Sequence, residues 1–145
     1  MLHQAAVDSA AESRKTLILY VGDYDPSGCH MSEVDIPKRL KKYGARIEFN
    51  RLALVQHDLT DELPSFPASE KVEDKRYKWW CATGHGNKCW ELDALNPVIL
   101  RQRLERAIRA QIDWEQWETD DVIEEAELGS LKSYMNAWAK LKRFA

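Results

Sequence analysis

The first clear pattern along the chain is a short, nearly unbroken apolar run that ends at a glycine. Residues Thr16 to Val21 are mostly apolar and favour β structure, and Gly22 follows directly. A run of this length and composition is typical of a strand that is buried on both faces. The pattern therefore predicts a first strand over residues 16–21.

The next segment places apolar residues at roughly helical spacing. The pattern starts at Ser27 or Gly28 and closes on Lys41, Lys42 and Gly44, which together form a usual helix stop. We therefore expect one helix from about residue 27 to residue 42.

An alternating pattern follows this helix. From Ala45 to Leu54 apolar and polar residues alternate, with Ile47, Phe49 and Arg51 on one face, and this predicts a second strand. Strand, helix and strand in this order predict a right-handed parallel crossover. The expected fold class is α/β, with a small, mainly parallel sheet flanked by helices.

The remaining pattern predicts a long loop and two C-terminal helices. Residues 56–88 contain prolines and glycines and show no sustained period, so we expect a long functional or disordered loop. Helices are predicted from Pro97 to about Ile112 and from about Asp120 to Phe144. The expected organisation is an N-terminal arm over residues 1–15, either a short helix or a loose segment, and a single domain over residues 16–145.

Composition narrows the class of protein. Hydrophobic residues make up 44% of the chain and charged residues 31%, a balance typical of folded proteins rather than of disordered or membrane chains. No apolar run approaches the ~20 residues of a membrane span, and the N-terminus lacks the apolar core of a secretion signal, so a cytoplasmic location is expected. Three cysteines in such a chain favour reduced thiols. The net charge of −3 gives no global case for nucleic-acid binding, so any phosphate contact must be local.

The turn between the first strand and the helix carries the strongest candidate chemistry. Ligands of open α/β sheets gather at the carboxyl ends of the strands, and here that position holds Gly22-Asp23-Tyr24-Asp25-Pro26-Ser27-Gly28. Asp23 and Asp25 point the same way in an extended segment and offer oxygen ligands to Mg²⁺ or Mn²⁺, and a bound cation relieves their repulsion. The alternative is a polar turn with a helix-capping residue.

This turn is also the most specific part of a family resemblance. The segment L-I-L-Y-V-G-D-Y-D-P-S-G resembles the Asp-x-Asp motif of Toprim domains, the metal-binding module shared by topoisomerases, primases and related nucleases. Its Asp-Pro-Ser-Gly continuation is most similar to the branch that contains the A subunit of type VI topoisomerase and the meiotic break-forming proteins. Uncharacterised Toprim-like proteins of phages and mobile elements are similar too. Residues 51–54 and 90–95 extend the resemblance to about Pro97.

The resemblance implies a Toprim-like, Rossmann-like fold in which Asp23 and Asp25 bind Mg²⁺ for phosphoryl transfer on nucleic acid, with DNA favoured. The implied reaction is that of a nuclease or a topoisomerase. Toprim domains also use a glutamate at the end of an earlier strand, and only 22 residues precede Asp23 here. We therefore expect the first part of the Toprim fold to be missing, either because the chain is a fragment or because it is a reduced relative. A partner chain or domain would then supply the missing catalytic groups.

Two other functions stay open at this point. A truncated Toprim relative can bind nucleic acid or a protein partner without cutting anything. A nucleotide-binding domain can hold a phosphate at the helix N-terminus near Gly28.

A second acidic pair, Glu91 and Asp93, has the same one-residue gap. These residues can complete the metal site if the long loop returns to the carboxyl edge of the sheet. The alternative is that Trp90, Leu92 and Leu95 anchor the segment and the acids favour a helix N-terminus.

Basic and aromatic residues share the predicted loop, a combination that suits phosphate contacts and base stacking. They are Lys71, Lys75, Arg76, Tyr77, Trp79 and Trp80. The alternative is a solvated loop whose tryptophans fill the core. Arg51, at the end of its strand, is a further candidate for a phosphate contact or for an ion pair with a neighbouring acid.

Evenly spaced soft ligands give a last candidate. Cys81, His85 and Cys89 offer donors to zinc, with His30 or Cys29 as a fourth. The paired Cys-x-x-Cys knuckles of structural zinc sites are absent, so the pattern is more typical of ordinary thiols.

Overall fold

A computed structural model describes residues 2–13 and 15–141. It divides the chain into two compact units, Met1–Glu105 and Arg106–Ala145. The single domain expected over residues 16–145 stays a prediction.

A two-stranded parallel sheet opens the first unit. Strand β1, Thr16–Tyr20, pairs in parallel with strand β2, Ile47–Arg51, so the predicted parallel unit is confirmed. In β2 the odd positions are half-buried and the even positions exposed, as predicted. The full burial predicted for β1 is wrong, since all five residues are only half-buried. The physical reason is that this sheet has two strands in the described part of the chain, so β1 keeps an open edge.

One continuous helical segment connects the strands. It comprises α2 (Pro26–His30), a π-helical turn (Met31–Asp35) and α3 (Ile36–Lys42), so the predicted helix over residues 27–42 is confirmed. Pro37 has no N–H to donate to the carbonyl four residues earlier, and this breaks the α-helical ladder. The N–H of Ile36 instead donates five residues back, which closes the π turn.

The N-terminal residues form helix α1, Leu2–Ala11, rather than a loose segment. Ser9 is buried and its hydroxyl accepts a hydrogen bond from the N–H of Arg46 at 3.3 Å. The ring of His3 also meets the ring of Tyr43, beyond the end of α3, edge to face at 5.1 Å. The helix therefore packs against the parallel unit.

The prediction of a structureless loop over residues 56–88 is wrong. This region contains α4 (Tyr77–Thr83) and the short strand β3 (Phe66–Pro67), which pairs antiparallel with β4 (Lys88–Cys89). It also contains short 3₁₀ turns, one of them at Ala68–Lys71. None of these elements is long enough for a repeating hydrophobic pattern to be recognised. The prolines and glycines between them therefore dominated the sequence pattern and favoured a loop.

Two helices complete the described chain. Helix α5 spans Pro97–Arg109, close to the prediction, and α6 spans Trp114–Leu141. Helix α6 begins six residues earlier than predicted, because the carboxylate of Asp113 accepts the N–H of Gln116 and caps it. Its predicted end at Phe144 lies outside the described residues. Within the described part of the chain, no helix combines the length and apolar character needed to cross a membrane.

The core of the first unit is aromatic. Tyr24 contacts Trp80 and Trp90 edge to face, at centroid distances of 5.2 and 5.9 Å, and Trp80 is fully buried. Tyr24 and Trp90 also exchange two backbone hydrogen bonds, of 2.9 and 3.0 Å. This bridge ties the turn after β1 to the segment after β4.

Candidate metal sites at the carboxyl end of the first strand

The segment of residues 22–28, called here the Asp loop, is held in place by Arg51. Its guanidinium donates hydrogen bonds with all three nitrogens, to neutral oxygens of the surrounding chain. The acceptors are the carbonyl oxygens of Gly22, Asp23, Gly28, Ala53 and Leu54 and the hydroxyl of Ser32. These bonds explain the position of Arg51 without a phosphate or a neighbouring acid, so its predicted contact with nucleic acid stays a prediction.

The hydrogen bonds of Arg51 also include one to a residue with an unusual backbone conformation. Leu54 has a positive φ of 50°, a strained conformation for a large side chain, and its carbonyl oxygen accepts from Arg51 Nε at 3.2 Å. The Arg51 side chain therefore organises both the Asp loop and the end of β2.

Gly28 allows the Asp loop to close on itself. A Cβ at this position would lie 2.3 Å from the carbonyl oxygen of Asp23, too close for any other residue. The N–H of Gly28 donates to Asp25 Oδ1 at 2.7 Å, so Asp25 is the N-cap of α2. The helix-capping alternative weighed for the Asp loop is thus present at Asp25.

Asp25 is buried and already neutralised. Only 5% of the residue is exposed, and its second oxygen lies 3.1 Å from Lys71 Nζ. The hydrogen bond to Asp25 and its negative charge raise the pKa of Lys71, against a smaller opposing effect of burial. A metal ion at Asp25 would therefore have to compete with an amine from the chain itself.

Asp23 has a different environment from Asp25. It is exposed, and its Oδ1 accepts the N–H of Leu92 at 2.8 Å. Together with Glu91 and Asp93 it lines a groove of about 470 Å³, called here the acidic groove. The segment after β4 therefore does return to the carboxyl edge of the sheet, the condition for Glu91 and Asp93 to join Asp23. Asp25 lies outside the lining of this groove.

The predicted basic residues divide between the Asp loop and solvent. Lys71 pairs with Asp25, and Arg76 Nη1 donates to the hydroxyl of Ser27 at 3.2 Å. Lys75 is exposed. Trp80 fills the core, as the alternative to base stacking predicted.

The structure does not bring Cys81, His85 and Cys89 together. Cys81 is exposed and Cys89 is buried, and the helix that carries Cys81 ends at Thr83, so the even spacing does not place the three on one face. In the described part of the chain, His85 instead meets Cys29 and Glu33, with one ligand atom from each residue within 4.8 Å of the other two. This group, called here the thiol cluster, is a possible metal-binding triad that the sequence spacing did not show.

The imidazole of His85 is held on several sides. Its Nδ1 lies 2.7 Å from Thr83 Oγ1, and its Nε2 lies 3.0 and 3.1 Å from the two carboxylate oxygens of Glu33. The ring stacks on Trp80 at 4.7 Å. Only 10% of the His85 side chain is exposed, whereas 45% of the Glu33 side chain is.

Burial changes the acidity of two neighbouring groups. It raises the pKa of the Cys29 thiol to about 12, and the charge of Glu33 adds to the rise while that of Arg51 opposes it. Burial likewise raises the pKa of Tyr24 to about 12. In the absence of a cation both groups are therefore protonated at neutral pH.

His30 was considered as a further zinc ligand. It follows Cys29 directly, and its ring meets Trp79 edge to face at 5.0 Å. Its Nδ1 is buried without a hydrogen-bond partner among the described residues. His30 does not belong to the group of three whose ligand atoms lie within 4.8 Å.

Comparison with known proteins gives no match: no family model, curated protein or solved structure is significantly similar to this chain. The mixed α/β architecture, with a small parallel sheet flanked by helices, is compatible with a Rossmann-like fold.

Proposed function

We propose that this chain is a Toprim-like protein that binds Mg²⁺ or Mn²⁺ in the acidic groove and acts on nucleic acid by cleavage or strand transfer. One observation carries the proposal. Carboxylates from two distant segments, Asp23 on one side and Glu91 and Asp93 on the other, line a single groove at the carboxyl end of β1. In the described residues the ligand atoms of these three acids do not form a group within 4.8 Å of one another, so a divalent cation with oxygen preference would have to draw the carboxylates together.

The residues present fit such a cation in part. One carboxylate oxygen of Asp23 accepts a hydrogen bond from the N–H of Leu92, and this bond holds the side chain at the groove. Because Lys71 neutralises Asp25, the ion binds in the groove, and Asp25 holds the Asp loop. A bound Mg²⁺ would polarise a phosphodiester and stabilise the leaving oxygen.

The chain's own cations supply the contacts with the nucleic acid in this proposal. Lys71 and Arg76 lie at the Asp loop, and Lys75 is exposed on the segment that joins them. A local basic segment of this kind suits phosphate contacts even though the net charge of the chain is −3. The nucleophile is assigned to no residue of this chain.

A second candidate function is a non-catalytic Toprim relative that binds nucleic acid or a protein partner. The ion pair between Asp25 and Lys71 favours it, because an acid of the motif is satisfied without a metal. The nucleotide-binding alternative is disfavoured, since the N–H of Gly28 is already bonded to Asp25.

Metal binding and nucleic-acid cleavage separate these candidates. The wild type and the variants Asp23→Asn and Asp93→Asn would be titrated with Mn²⁺ and incubated with plasmid DNA and single-stranded RNA. We expect the wild type to bind Mn²⁺ and cleave at least one substrate, and both variants to lose cleavage. Asp61→Asn is the matched control, because Asp61 is an exposed acid that pairs with Lys88, and neither residue lines the groove.

Three outcomes decide the matter. Loss of cleavage in both groove variants, with retention in Asp61→Asn, supports the enzyme. Tight nucleic-acid binding without cleavage by any of the proteins supports the non-catalytic relative. Equal Mn²⁺ affinity in the wild type and both groove variants would show that the acidic groove does not bind the ion, and this outcome contradicts the leading proposal.

A further inference from the structure

We propose that the thiol cluster of Cys29, Glu33 and His85 is a binding site for one divalent transition-metal ion of the zinc class. The three side chains come from α2, from the π turn and from the turn after α4. The site is separate from the acidic groove, and the inference does not depend on the function proposed above.

The donor set identifies the class of ion. A cysteine sulfur that releases its proton to solvent on binding, an imidazole and a carboxylate together suit Zn²⁺ and its close relatives, whereas Mg²⁺ takes oxygen ligands almost alone. His85 Nε2 lies 3.0 and 3.1 Å from the two oxygens of Glu33. Two ligands bound tetrahedrally at ~2.0 Å lie roughly 3.3 Å apart, so these atoms already stand near the spacing that a zinc ion requires.

The hydrogen bond at the other side of the imidazole supports the same reading. The hydroxyl of Thr83 lies within hydrogen-bond distance of the carbonyl oxygens of Trp79 and Trp80, at 2.8 and 3.2 Å, and of His85 Nδ1, at 2.7 Å. When the hydroxyl donates to a carbonyl, Nδ1 carries the ring proton, and the lone pair of Nε2 then faces Glu33, the position from which it can bind a metal ion. Histidine ligands in metal sites commonly have this second-side hydrogen bond, which fixes the tautomer and the ring orientation.

The backbone places the ligands before any ion binds. Gly84 and Gly86 both have positive φ, of 77° and 95°, and they hold His85 between them in a tight turn. The ring then stacks on the buried Trp80. On the facing helix, Cys29 and Glu33 flank the start of the π turn, a feature often found at functional sites.

A cavity of about 380 Å³ adjoins the cluster and gives the ion an open side. Glu33 and His85 are among its lining residues, together with Tyr24, Arg51 and Leu54. Three protein ligands and one open position are typical of zinc sites that bind water or a small ligand, whereas structural sites are closed by four.

Titration with Co²⁺, a spectroscopic substitute for Zn²⁺, tests the inference on the full chain. We expect one Co²⁺ per chain, with a thiolate-to-cobalt charge-transfer band that excess Zn²⁺ removes. Glu33→Gln and His85→Gln should weaken binding at least ~10-fold, and Cys29→Ser should abolish the band. Cys81→Ser is the matched control, because Cys81 is an exposed cysteine outside the cluster.

Folding and location are controlled separately. Because Cys29 is fully buried, its variant can fail to fold, so the decisive protein is Glu33→Gln, whose side chain is half-exposed. Its circular dichroism should match the wild type. Asp23→Asn should leave the cobalt band unchanged, which distinguishes this site from the acidic groove. The inference is overturned if the wild type shows no charge-transfer band with excess Co²⁺, or if folded Glu33→Gln binds Co²⁺ as tightly as the wild type does.

Discussion

The acidic groove and the thiol cluster lie near the same residue, Tyr24, but they differ in how their charges are balanced. In the groove three carboxylates face solvent, and the adjacent acid Asp25 is paired with Lys71. In the thiol cluster the only carboxylate, that of Glu33, meets an imidazole that is stacked against the aromatic core. The groove offers hard oxygens alone, whereas the cluster offers three kinds of donor.

This difference shows that nearness in sequence does not decide which acids share a cation. Asp23 and Asp25 are separated by one residue, yet one is exposed in the groove and the other is buried as a helix cap. Asp23 and Glu91 are far apart in the chain and line one groove. The bridge between Tyr24 and Trp90 produces this arrangement.

The largest expected change in stability comes from removing the Arg51 side chain, whose hydrogen bonds reach residues near both sites. Arg51→Ala leaves five backbone carbonyls and the hydroxyl of Ser32 without their charged donor. We expect the free energy of unfolding to fall by about 3 kcal/mol, measured by urea denaturation, because charge-assisted bonds to half-buried groups are lost together. Arg51→Lys should recover little, since an ammonium cannot reproduce the planar fork. A loss below about 1 kcal/mol in Arg51→Ala would show that the two sites do not depend on this side chain.

A smaller effect is expected from loosening one wall of the cavity beside the thiol cluster. The carboxylate of Asp58 accepts bonds from Arg103, at 2.8 and 2.5 Å, and from the N–H of Val55, which lines that cavity. Burial raises the pKa of Asp58, but these bonds and the charge of Arg103 outweigh it, so the net pKa lies below the ordinary 3.8. Ionised Asp58 therefore stabilises the fold above about pH 4, and this contribution is lost as the pH falls through the lowered value.

The measurement is the free energy of unfolding as a function of pH. Asp58→Asn should cost about 1–2 kcal/mol at pH 7 and should flatten the decline in stability below pH 4. If Asp58→Asn declines with acid as steeply as the wild type, the pair with Arg103 is not what acid breaks. The cobalt band of the thiol cluster should persist in this variant at pH 7, because no ligand is touched.

The smallest change in stability, and the sharpest contrast between the sites, is expected from Lys71→Gln. The Lys71 side chain is one-third exposed, so the pair with Asp25 contributes within about 1 kcal/mol. Lys71 interacts electrostatically with both Asp25 and Glu91, so removing the amine makes the field at the groove more negative, and we expect tighter Mn²⁺ binding by calorimetry. Cobalt binding at the thiol cluster should not change. Lys75→Gln, which removes an exposed lysine of the same segment, is the control, and equal Mn²⁺ gains in both variants would show a general charge effect instead.

The sequence predicted the parallel unit well, because β1 is a nearly unbroken apolar run, β2 alternates and Gly44 marks the helix end. It did not predict α4 or the pairing of β3 with β4, since these elements are too short for a repeating hydrophobic pattern to be recognised in the sequence. The partial exposure of β1 depends on how many strands the sheet has, which no local pattern records.

The candidate sites show the same division between local and tertiary information. The acids of the groove were identified as candidates from the sequence. That Asp23 lines the same groove as Glu91 and Asp93 depends on the bridge between Tyr24 and Trp90, which the sequence did not predict. Two signals for the thiol cluster were present and unused: Cys29 and Glu33 are four residues apart on a predicted helix, and His85 lies between two glycines. The role of Arg51 could have been inferred from its place at the end of β2, level with Tyr20 of β1.

The π turn has a consequence for how the chain tolerates changes in length. It holds one residue more than an α-helical ladder would, so deletion of Val34 could restore regular helix without disturbing either end. Glu33 lies inside the turn, so such a repair would move its carboxylate relative to Cys29 while α3 keeps its place. The extra residue therefore sets the geometry in which Glu33 meets His85, and its deletion would alter metal binding at the thiol cluster without unfolding the helix.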